Sequence, residues 1–129
     1  MNKKTMITAA ILGVLAIILG AFASHGLKAA ISTDALDTFE TGVRYQMYHA
    51  LFLLFVGLND SMGLRTKRTL LILVVAGVLL FSGSIYGLAT NELSAVDFKK
   101  IAFVTPIGGF LLILSWLVLL FDLIKNAKD

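Results

Sequence analysis

Four stretches of this chain, about Thr5–Leu27, Asp37–Leu58, Thr69–Ala89 and Ile101–Ile124, are each long enough to cross a bilayer as one helix. The runs are continuous rather than alternating, so they lack the in-out pattern of barrel strands. Only helices then satisfy every backbone group in lipid. Hydrophobic residues make up 58% of the 129 positions, more than a short soluble domain can hide in its core. The expected fold class is all-α: an integral membrane four-helix bundle forming one domain over 1–129.

Composition removes several function classes. With no cysteine, disulfides, thiolate metal sites and cysteine nucleophiles are excluded. The net charge of +3 is spread over loops and resembles no nucleic-acid footprint. Lys3 and Lys4 before an apolar run imitate a secretory signal, and Ala21-Phe22-Ala23 is a nominal cleavage site. The run is longer than a signal core, which favours an uncleaved anchor. Four spans would place Lys3, Lys4, Arg65, Lys67, Arg68, Lys125 and Lys128 on one side, and Lys28, Arg44, Lys99 and Lys100 on the other. The excess of cations predicts that both termini are cytoplasmic and that the protein is a multi-pass component of the cell membrane.

The second stretch is chemically unlike the others. Glu40, Arg44, Tyr45, Tyr48 and His49 lead directly into Ala50–Leu58, an apolar run too short to cross alone. Asp37 and Glu40 suit an N-cap and its third-position partner, so a helix from there carries the polar block as its outer half. The same leaflet then receives His25 at the end of the first helix, Ser84 and Tyr86 near the end of the third, and Thr105 at the start of the fourth. One polar layer on the external side is expected, with Leu, Ile, Val and Phe dominating the cytoplasmic half.

On a helical wheel Glu40, Arg44, Tyr48, Thr41, Tyr45 and His49 fill an arc of about 180°, with Val43 and Met47 opposite and Gln46 departing from the pattern. Glu40 with Arg44, and Tyr45 with His49, are spaced to pair, and Arg44 can stack on Tyr48. Such a cluster in low dielectric suits proton handling. It equally suits headgroup snorkelling or a pair that fixes helix register. Two histidines without further ligands make a poor metal site, and Ser24 beside His25 makes no nucleophile–base pair. No metal, cofactor or catalytic residue is expected. Gly13 and Gly20 belong to a small-residue stripe on the first helix, and Gly83 and Gly87 form a G-x-x-x-G on the third, both suited to close helix packing. Pro106 with Gly108-Gly109 implies a kink, a late helix start, or a broken helix lining a cavity.

At Gly20–Leu27, Phe39–Leu51, Phe81–Tyr86 and Thr105–Gly109 the chain resembles the bacterial YgdD/YwdK-like family of small four-helix membrane proteins. The resemblance covers nearly the whole chain, with Ala23-Ser24 standing where members often carry a second glycine. It implies a multi-pass plasma-membrane protein and transfers no catalytic residue. Two functions are compatible with these features. One is a non-enzymatic structural or accessory component, alone as a homo-oligomer or within a larger membrane complex, with the polar layer as internal glue. The other is a small oligomeric transporter or channel for protons or a small solute. Both expect Glu40, Arg44 and His49 to be buried among the helices, near the outer surface.

Overall fold

The computed structural model describes residues 1–126. Four long helices follow one another: α1 (Lys3–Ser24), α2 (Thr33–Leu58), α3 (Leu64–Ala89) and α4 (Val104–Lys125). Short 3-10 turns at Leu27–Ala29, Asn91–Leu93 and Phe98–Ile101 fill the connections. α1, α3 and α4 are long and apolar enough to cross a membrane; α2 is not among them, its first half carrying Asp34, Asp37, Glu40 and Arg44, with Gln46 and His49 just beyond.

Three helices start away from their expected places, and at α2 the reason is a better cap. α2 begins at Thr33, capped by Ser32, whose backbone is extended and whose Oγ accepts the Ala35 N–H at 3.1 Å. Asp37 therefore lies inside the helix, where its carbonyl accepts the Thr41 hydroxyl. α3 starts at Leu64 and takes Arg65 and Lys67 into its first turns. α4 starts late, at Val104, because Asp97 caps a separate turn by accepting the Lys99 N–H at 3.1 Å. Pro106 thus occupies the first turn of α4, where its missing N–H has no intrahelical partner to lose. The helix is late, not broken.

α1, α2, α3 and α4 pack in antiparallel succession. Met6 meets Gly57, Gly13 meets Ala50 and Gly20 meets Val43 along the first seam. At the third seam Gly77 lies under Leu112, and Gly108 lies against the backbone of Leu80 and Phe81. The main core gathers Phe52, Leu53, Val56, Leu70, Val74, Val78, Leu112 and Leu119, and a smaller cluster joins Ala23, Leu27, Phe39 and Ala89. Outward faces are apolar too: Ile7, Ile11, Val14 and Ile18 on α1, and Ile107, Phe110, Ile113 and Phe121 on α4, are all exposed. An apolar outer face on a helix whose inner face is already packed is the pattern of a protein solvated by lipid.

The start of α1 is tied to the end of α2. The Asn2 N–H donates to the Gly57 carbonyl at 2.8 Å, and the Met1 ammonium bonds the Asp60 carboxylate at 3.0 Å. That ammonium, as hydrogen-bond donor and as a charge, holds the exposed Asp60 carboxyl below its ordinary range.

Candidate functional site

The face that α2 turns inward carries Phe39, Gly42, Gln46, His49, Leu53 and Val56, all buried. Gln46 is the centre of this face. Its Nε2 donates to the Leu12 carbonyl of α1 at 2.9 Å, and its Oε1 accepts the Tyr86 hydroxyl of α3 at 2.7 Å. The carbonyl of Leu12 can only accept, which fixes the amide orientation and makes Tyr86 the donor. Beside it Ser82 donates to the Gly42 carbonyl at 2.7 Å, and the rings of Phe39 and Tyr86 lie 4.8 Å apart.

His49 links α2 to α4. Trp116, the only tryptophan in the chain, donates its indole N–H to His49 Nε2 at 3.1 Å. Nε2 must therefore be the acceptor, and Nδ1 carries the proton that it donates to the Tyr45 carbonyl at 2.7 Å. Both ring nitrogens are thereby committed. The Phe52 ring completes the contact, edge-on to Trp116 at 4.6 Å. Between α3 and α4, Ser84 and Thr105 share a hydroxyl–hydroxyl bond of 2.5 Å. Next to His49 a cleft of about 310 Å³ opens between Tyr45, Phe81, Leu112 and Trp116.

Of the expected set the structure joins Ser84 to Thr105 directly, and places His49 and Tyr86 in separate interhelical bonds to Trp116 and Gln46. It keeps the charged members apart. Arg44 is exposed, and its guanidinium donates to Thr41 Oγ1 at 3.0 Å instead of pairing with Glu40. Glu40 is half-buried and makes no ion pair among the described residues. Tyr45 and Tyr48 are 40% and 51% exposed, and their rings meet each other, which removes the expected Arg44–Tyr48 stack. His49 bonds the Tyr45 backbone, not its phenol. His25 is exposed at the end of α1. The expectation that Glu40 and Arg44 are buried among helices is therefore corrected; of the three only His49 is. A charged pair loses more on burial than neutral groups whose hydrogen bonds are all made, so an amide and hydroxyls fill the interior.

Two further corrections concern small and basic residues. Gly83 faces open space, and Gly87 lies under the Phe98 ring of a connecting turn, so the G-x-x-x-G is no helix seam. Gly13 and Gly20 do face α2, while the close approaches at Gly42, Gly57 and Gly77 escaped sequence reasoning and Gly108 was read only as loosening α4. The opposite end of the bundle is not purely apolar: Lys67 is 4% exposed, with Nζ donating to the Gly57 carbonyl at 3.3 Å.

A family model described as a protein of unknown function, DUF423, matches residues 19–109. The chain is 37% identical to a UPF0382 membrane protein of Haemophilus influenzae over 99% of both chains. It is 39% identical to the UPF0382 membrane protein YwdK of Bacillus subtilis, covering 95% of this chain and 98% of that one. A Staphylococcus aureus UPF0382 membrane protein is 35% identical over 97% of this chain and 98% of its own length. No solved structure matches.

Proposed function

The chain belongs to the DUF423 family, whose UPF0382 members are bacterial membrane proteins, and from that premise we propose that it is a non-enzymatic structural or accessory component of the cell membrane. It is a multi-pass membrane protein of all-α fold. The observation that carries the reading is the commitment of the interior polar groups to one another. Gln46, Tyr86, Ser82, His49, Trp116, Ser84 and Thr105 each bond a partner on a neighbouring helix, so the layer joins all four helices. Both nitrogens of His49 are engaged, which leaves the imidazole no free position for proton relay. Glu40, Arg44, Tyr45, Tyr48 and His25 act at the surface, where their polar ends reach the headgroup region.

In this reading the whole chain, 1–129, is one domain with four crossings and both termini cytoplasmic. α2 crosses as well because it packs antiparallel to α1 and α3, from Gly57 beside Met6 to Gly42 beside Tyr86. Its 26 residues reach about 39 Å at about 1.5 Å per residue, enough for a bilayer core and one headgroup layer. The polar layer then falls in the middle and outer half of the membrane. Lys128, counted for the orientation, lies outside the described residues. The absence of cysteine permits a direct test. An impermeant maleimide added to intact cells should label Ser94→Cys but label Ser61→Cys only after lysis; the reverse pattern would invert the orientation.

An accessory protein of this kind acts through a homo-oligomer or as a subunit of a larger membrane complex. Mild-detergent purification after in-cell crosslinking should therefore recover a defined assembly, either of copies or with one stable partner. Recovery of a monomer alone, together with solute flux by that monomer, would overturn the accessory reading.

A further inference from the structure

A second cavity, of about 360 Å³, lies at the end of the bundle where α1 and α3 both begin. Asn2, Lys4 and Thr5 line it from α1, and Leu64, Arg68 and Ile72 from α3. Its chemistry is divided. Lys4 and Arg68 bring two exposed cations to the rim, while Leu64, Leu71 and Ile72 form an apolar wall that continues along α3. Thr5 is fully buried, and its hydroxyl has no hydrogen-bond partner, an orphan in an interior where the other buried side-chain polar atoms of the described residues are paired. Gly63 supplies no side chain to cap α3, so the first N–H groups of this helix add positive potential beside Leu64. The two helix starts are held together by one carbonyl, since Gly57 O accepts both the Asn2 N–H and Lys67 Nζ. The cavity is therefore an assembled junction, and not a gap between independent helices.

The geometry points to a binding site for one anionic phospholipid: the phosphate between Lys4 and Arg68, polar headgroup atoms near Thr5, and an acyl chain along Leu71 and Ile72. The α1 and α3 spans set this junction at the ends of two membrane helices, which is headgroup depth. A free anion satisfies the cations but leaves the apolar wall unfilled; a zwitterionic lipid fills the wall but carries no net charge to match the cations. The assignment holds for either orientation of the protein, so it stands or falls separately from the topology proposed above.

The test uses the full-length protein purified in detergent and supplied with phosphatidylglycerol, phosphatidylcholine or inorganic phosphate, read by native mass spectrometry and by the melting curve. Phosphatidylglycerol should remain bound with a stoichiometry of about one and raise the melting temperature, with the other two doing neither. Lys4→Gln with Arg68→Gln should weaken retention roughly tenfold or more, given the contribution of each cation near an anionic headgroup. Lys99→Gln with Lys100→Gln, in the connection before α4, should change nothing. Ile72→Trp, which fills the acyl groove without touching a charge, should also expel the lipid. Equal retention of phosphatidylcholine, equal stabilisation by inorganic phosphate, or equal losses from the Lys99 and Lys100 changes would each overturn the site. So would undiminished retention by both the Lys4/Arg68 and the Ile72 variants.

Discussion

Gly108→Ala should destabilise the protein by about 3 kcal/mol, the upper end of ordinary overpacking. A Cβ at this position runs into the backbone of Leu80 and Phe81, which cannot swing aside as a side chain can. Relief requires α4 to move away from α3, which also pulls Ser84 from Thr105. Gly77→Ala, on the facing helix, meets the side chain of Leu112 at 2.6 Å and should cost less, because Leu112 can change rotamer. Gly83→Ala provides the contrast. Nothing lies within 4 Å of its Cβ position, so alanine should be neutral or stabilise by roughly 0.5–1 kcal/mol through helix propensity. Reversible unfolding in mixed micelles would rank the three. A loss at Gly83 equal to that at Gly108 would contradict the packing described.

Gln46→Leu should carry the second largest cost, about 1–2 kcal/mol, near the top of the range for hydrogen bonds between membrane helices. The change leaves the half-buried Tyr86 hydroxyl without its acceptor and removes the donor from Leu12. Adding Tyr86→Phe should then recover part of the loss, because a missing pair is cheaper than a stranded partner. The double variant is therefore expected to melt above Gln46→Leu alone. Strict additivity of the two losses would show that the amide and the phenol are not coupled.

Much of the architecture was legible in the sequence because lipid solvation leaves few choices: long apolar runs without alternation become helices. The Ser32 cap was harder to read, since Ser32, Thr33, Asp34 and Asp37 all suit a helix start and only the folded connection selects among them. The orientation of α2 was misjudged for a physical reason. Charges at Glu40 and Arg44 drew attention to the side of the helix that faces away from the core. The better signal was the spacing of Phe39, Gly42, Gln46, His49, Leu53 and Val56, alternately three and four residues apart, which marks a packing seam and contains the outlying glutamine. His49 lies on both arcs, which is why it alone of the titratable trio was found buried. Gly108 was noticed for its flexibility, whereas its role is the absence of a side chain. That role depends on Phe81, a residue on another helix that no local pattern identifies.

The central claim is that the interior polar layer holds helices together and conducts nothing. Reconstituting the protein in liposomes with an internal pH dye tests it most directly. Under an imposed proton gradient and potential, wild-type vesicles should decay no faster than protein-free ones, and Gln46→Leu and His49→Ala should leave that rate unchanged while lowering the melting temperature. A protein-dependent proton flux that His49→Ala abolishes in a still-folded protein would contradict the account.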